Sequence, residues 1–200
     1  MKIIQDVAPT VEPLTIEELS MHLRIDDETA VENEYLEDLI VGARIQAENV
    51  TRRKFLTQTY SYYLDGFPTG NFLKLPFGNL QSVVSVKYKD SDGDETTMTV
   101  TTDYIVQTSG WECGGIVLPY GVTWPSFTPY PSNPITIQFV CGWTTRSLIP
   151  QPIKNAMKLI CADMYVNRES QVLVDLPGQQ YLENKTADNL LINYKLWDSF

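Results

Sequence analysis

The feature that most constrains this chain is a change of hydrophobic period. Across residues 30 to 55, Leu36, Ile40, Ala43, Ala47 and Val50 recur at spacings of four, three, four and three, the stripe of an amphipathic helix. From residue 57 the pattern becomes an alternation of Thr, Tyr, Val and Phe, broken at Asp65-Gly66, Pro76, Gly78 and Asp92-Gly93. Short strands and turns read this way. At Pro152 the helical period returns, with Ile153, Ala156, Met157, Ile160, Cys161, Met164 and Tyr165 on one face and the proline at a helix start. Helical segments on both sides of a strand-patterned stretch predict an α+β fold: a helical core of two N-terminal helices and a third near 152–168, with an inserted antiparallel β region over 57–142.

Local signals fill in this plan. Leu14-Thr15-Ile16-Glu17-Glu18-Leu19 opens the first helix, over 15–25. Thr15 and Glu18 can cap each other's amides, and Leu14 can staple onto Leu19. Thr29 with Glu32 predicts a second capping box for the 30–55 helix. Val84, Val86 and Tyr88 alternate with Ser85, Lys87 and Lys89 ahead of the turn at Asp92-Gly93 and the run Glu95 to Val100, which predicts a hairpin. Further strands are expected at 104–108, 115–118 and 135–141. Residues 1 to 170 then form a single domain and residues 171 to 200 an extended, polar C-terminal arm ending on Leu190, Leu191, Tyr194, Trp197 and Phe200.

Composition excludes several classes. With 43% hydrophobic residues the chain is too apolar for an acidic disordered tail. Its net charge of -10 argues against gripping nucleic acid by the phosphates, which rests on Lys and Arg displacing condensed counterions. Twelve acids against six bases place -6 of that charge in residues 1 to 56. Seven acids, Asp26, Asp27, Glu28, Glu32, Glu34, Glu37 and Asp38, fall within thirteen residues without one base. Met1 to Asp6 holds no apolar signal core, and no run approaches the ~20 apolar residues of a membrane span, so the chain reads as soluble and intracellular. Cys113, Cys141 and Cys161, odd in number and widely spaced, suggest neither a disulfide framework nor a zinc site but buried small hydrophobes.

A search for catalytic chemistry finds no constellation, and the chain reads as a non-enzyme without cofactors. His22 is the single histidine, and no nucleophile or carboxylate motif accompanies it. Asp90-Ser91-Asp92-Gly93-Asp94-Glu95 opens like a calcium loop. Its sixth position is Glu95 where the turn needs Gly, and its twelfth is Thr101, which has no carboxylate. The acidic run could serve a metal-assisted hydrolase, yet acids at a helix start are also an ordinary solvated face. The loop from Pro119 to Pro134, with Tyr120, Trp124, Phe127 and Tyr130, could serve a carbohydrate-binding module if Trp111, Trp124 and Trp143 were exposed together.

The order of elements resembles the head-tail connector, or adaptor, family of long-tailed bacteriophages and gene transfer agents. The residues that carry it run from Pro13-Leu14-Thr15-Ile16-Glu17-Glu18-Leu19 and His22-Leu23-Arg24-Ile25 through Ala43-Arg44 and Arg53-Lys54-Phe55-Leu56-Thr57-Gln58-Thr59-Tyr60. Leu64-Asp65-Gly66-Phe67-Pro68, Leu75-Pro76, Leu80 to Val86, Asp103-Tyr104 and Gly121 with Trp124-Pro125 follow. Ile135-Thr136-Ile137, Gly142, and Ile149-Pro150 to Tyr165 with Asn167-Arg168-Glu169 complete the series. The likeness spans roughly 13 to 170.

It implies a virion protein made in the host cytoplasm, forming a ring of twelve subunits under the portal vertex. Such a ring extends the DNA channel and receives a stopper or tail-completion protein; DNA passes without specific binding, and no membrane is involved. On that reading the seven acids from Asp26 to Asp38 are candidates to face the channel. The terminal Leu190, Leu191, Tyr194, Trp197 and Phe200 are candidates for an arm on the portal or a neighbouring subunit.

Overall fold

A computed structural model describes residues 1–25, 30–108, 112–167 and 185–197. It divides into two compact units, each built from segments distant in sequence: Met1–Thr10 with Leu56–Thr144 and Leu196–Phe200, and Val11–Phe55 with Thr145–Lys195. The first is a β unit and the second is helical, so the architecture is the α+β class read from the sequence.

In the β unit, β1 (Lys2–Val7), β2 (Gln58–Leu64), β8 (Ile135–Cys141), β4 (Leu80–Lys89) and β5 (Glu95–Thr97) form a five-stranded antiparallel sheet in that spatial order. A second sheet orders β3 (Phe72–Lys74), β7 (Gly115–Val117) and β6 (Ile105–Gln107). The alternation at 135–141 fixes the centre: Ile135, Ile137, Phe139 and Cys141 are buried while Thr136, Gln138 and Val140 point the other way. Their inner face shares one core with Tyr60, Tyr62, Leu80 and Val86 of the large sheet and with Leu73 and Ile116 of the small one. Two short sheets thereby bury one face each against the other. Asp92-Gly93 lies in the turn between β4 and β5, where the Asp90 carboxylate accepts from the amides of Asp92 and Asp94 at 3.1 and 3.0 Å. The calcium-like string is a hairpin turn whose first carboxylate is engaged with its own backbone.

Gly142 sits where the strand leaves the sheet, at φ +103. A Cβ there would lie 2.1 Å from the Leu56 carbonyl oxygen, so this close approach requires glycine.

In the helical unit, α1 (Ile16–Leu23) carries the expected capping box. The Glu18 amide donates to the Thr15 hydroxyl at 3.1 Å and the Thr15 amide to the Glu18 carboxylate at 3.2 Å. Leu14 and Leu19 are both buried. A separate side-chain hydrogen bond between Thr15 and the Glu17 carboxyl is the chief cause holding that carboxyl below its ordinary range. The second capping box falls on Thr29, which lies outside the described residues. α2 (Ala30–Thr51) packs on α3 (Gln151–Val166), with Pro152 in the first turn of α3 as its fixed φ favours. Cys161 is buried at this contact, its thiol donating to the Leu39 carbonyl at 3.5 Å, and burial pushes the thiol up to about 12. All three cysteines are buried.

Two elements differ from the sequence-based expectation. β1 is an added edge strand that no pattern flagged. α4 (Lys185–Leu191), followed by a 3-10 turn at Ile192–Tyr194, is a helix where a polar, loop-like segment was expected. No helix among the described residues is long and apolar enough to cross a membrane.

Candidate functional site

The acidic run and the C-terminal segment as far as Lys195 belong to the helical unit, whereas Leu196 and Trp197 belong to the β unit. On α2 the apolar stripe turns Leu36, Leu39, Ile40, Ala43 and Ala47 inward. Glu32, Glu34, Glu37 and Asp38 are exposed. Acids near a helix start gain from the amide dipoles, and solvent screens their mutual repulsion. Asp26, Asp27 and Glu28 lie outside the described residues.

The bases at the other end of α2 do not form a matching solvated cluster. The helix stops at Thr51, Arg52 takes a left-handed conformation with φ 56, and Arg53 is buried, its guanidinium Nε donating to the Tyr194 carbonyl. Lys54 pairs with Glu48 at 3.1 Å. Glu48 is 2% exposed, accepts from the Phe55 amide at 3.0 Å and lies 3.6 Å from Arg44. Arg44 also donates to Glu12 at 2.7 Å, and Arg146 donates to the Glu12 carbonyl at 2.7 Å. This buried network ties the chain before α1, the body and exit of α2 and the turn before α3 into one polar cluster. Sequence reasoning missed it, although Arg44 and Glu48 stand four apart beside Ala43 and Ala47 on the inward stripe. That placement is the signal which could have exposed them.

The C-terminal segment is not uniform. Leu191 is fully buried and Ala187 nearly so, Leu190 and Tyr194 are half-buried, and Trp197 is 69% exposed. α4 packs on α3 and α2. Phe200 lies outside the described residues. The five apolar residues grouped from sequence therefore divide into an inward anchor at Leu191 and an outward Trp197.

The proline and aromatic loop packs inward on its own unit. The Trp124 ring stacks on Phe67 at 4.7 Å and 7°, and its indole N–H donates to the Gly70 carbonyl at 2.7 Å. Phe127 leans on Tyr88 at 4.8 Å. Trp143 is buried, and Trp111 lies outside the described residues. The exposed tryptophan platform that sugar binding needs is not formed by Trp124 and Trp143, because the Trp124 ring face and N–H are engaged within the fold and Trp143 is buried. Tyr120, fully exposed at the tip of a Pro119-to-Val122 turn, is the aromatic of this loop that faces solvent most completely.

No protein-family model matches the sequence, and no curated protein does. Solved structures with the same fold exist. A chain of the virion of a native gene transfer agent particle aligns with TM-score 0.78 at 17% identity, covering 100% of this chain and 98% of that one. A chain from the neck of an empty gene transfer agent particle, computed with C6 symmetry, gives 0.78 at 18% identity with the same coverage. One from the neck of the native particle, computed with C12 symmetry, gives 0.73 at 17%. At such identities the shared property is the fold, and it extends over the whole of both chains.

Proposed function

We propose that this chain is a head-tail connector of a gene transfer agent or related long-tailed phage: a structural neck protein, not an enzyme. The observation that carries the reading is the whole-length likeness to neck and virion chains. Copies of the chain form a ring beneath the portal, twelve in the particle, extending the DNA channel and offering its far side to a stopper or tail-completion protein. The C12 symmetry of one matching neck structure supports the ring and its number.

The charge suits that role. Exposed Glu32, Glu34, Glu37 and Asp38, repeated around a ring, would make a wall that DNA slides past, since like charge weakens any hold on phosphate. The C-terminal segment, with Leu191 as its root and Trp197 as its exposed end, is the part we assign to the portal. The test is electron microscopy of the purified chain, alone and mixed with portal-bearing heads. Rings seated on the portal are expected, and Trp197→Ala should reduce portal attachment while leaving the circular dichroism spectrum unchanged. A wild-type chain that neither forms rings nor binds heads would refute the reading.

A further inference from the structure

The two sheets of the β unit present very different outer faces. On the large sheet the outward positions mix Thr136, Gln138, Ser85 and Lys87 with Val140 and Tyr63, and they lie beside a carboxylate, Asp6, which accepts from Ser61 and Gln138 at 2.6 and 3.0 Å. On the small sheet the register places Phe72, Val117 and Ile105 side by side in one row across all three strands. Leu73 and Ile116 point the opposite way into the core. Phe72 is 42% exposed and Ile105 46%. The second outward row is Lys74, Gly115 and Gln107. A Cβ on Gly115 would fall 2.6 Å from the Phe72 ring, so the ring lies over the glycine backbone, held against the sheet with little freedom to lose.

From this we infer that the outer face of the β3-β7-β6 sheet is a contact surface for a second copy of the chain. The inference rests on the ring reading above. A closed ring needs a head-to-tail interface in which each copy offers two different surfaces, and one of them must be able to exclude water. Charge selects this face. Two copies at net charge -10 repel, so they meet most easily where carboxylates are absent. The six outward positions of the small sheet contain no acid and one base, Lys74. A nucleic-acid partner would call for several bases, and the row of Phe72, Val117 and Ile105 supplies none.

The experiment uses the full chain, with a photo-crosslinking residue at position 105, Ile105→Asp as the disrupting variant and Ser82→Asp, also at an exposed position, as the control. Irradiation should join two copies covalently. Ile105→Asp should weaken self-association by roughly tenfold or more, with an unchanged circular dichroism spectrum, and Ser82→Asp should not. Wild-type rings whose position-105 probe never links two copies would overturn this inference and leave the ring reading standing. A wild-type chain that stays monomeric, alone and with heads, and whose probe links no copies would overturn both.

Discussion

The β unit and the helical unit solve the same problem with different materials. In the first, the shared core of the two sheets is almost wholly apolar, and its tightest points are backbone meeting backbone, as where Gly142 passes Leu56. In the second, Arg44, Glu48 and Arg53 are buried beside the apolar stripe of α2 and satisfy one another or a carbonyl. A buried ion pair seldom beats a well-packed apolar pair for stability, although removing one partner leaves a charge stranded. The β unit should therefore be sensitive to shape, and the helical unit to incomplete charge.

That contrast can be broken most severely at Gly142. Gly142→Ala forces a methyl onto the Leu56 carbonyl at a left-handed φ, and a loss of about 3 kcal/mol or more is expected in urea unfolding. Next comes Glu48→Ala, which removes the buried carboxylate that Arg44, Lys54 and the Phe55 amide share and should cost about 3 kcal/mol. The paired change Arg44→Met with Glu48→Leu should cost clearly less than Glu48→Ala alone; equal losses would show that the cluster is not a charge-matched unit. Leu191→Ala should cost about 2 to 3 kcal/mol and remove hydrogen-exchange protection from 185–197, since that side chain is fully buried. Thr15→Ala should cost about 1 kcal/mol through the lost cap, confined to α1.

The last effect is a pH dependence, absent at neutral pH. Cys161 titrates near 9 when unfolded and is pushed up to about 12 in the fold, so above pH 9 the unfolded chain holds fewer protons. Stability should fall as pH rises from 9 towards 12, and Cys161→Ala should flatten that fall. Tyr62 and Tyr104, also pushed up by burial, add to the loss from about pH 10 upward. The measurement is the thermal midpoint as a function of pH for both proteins.

Sequence legibility followed the strength of local signals. Thr15 with Glu18, Pro152 and the alternation from Ile135 to Cys141 each state their structure within a few residues, and each stands as read. β1 escaped because its six residues are nearly all exposed and show no alternation; pairing with β2, more than fifty residues away, is what makes it a strand. α4 escaped because seven residues hold only two inward positions, Ala187 and Leu191, too few to define a period. At the candidate surfaces, the acids of α2 could be identified by type but not by what they face. The platform of Phe72, Val117 and Ile105 depends on register between strands about ten to forty-five residues apart, which no local pattern encodes.

The central place of β8 has a consequence for synthesis. It lies between β2 and β4, yet it is the last strand of that sheet to be translated. Until Cys141 leaves the ribosome, β2 and β4 each carry an edge whose eventual partner does not exist. At typical rates of about 5 to 20 residues per second, the interval from Leu64 to Cys141 lasts roughly 4 to 15 seconds. During that window the nascent chain exposes strand edges rich in Tyr and Val, a liability that completed sheets escape. Slower translation just before residue 135, or depletion of ribosome-associated chaperones, should lower the soluble yield, whereas slowing after residue 141 should not.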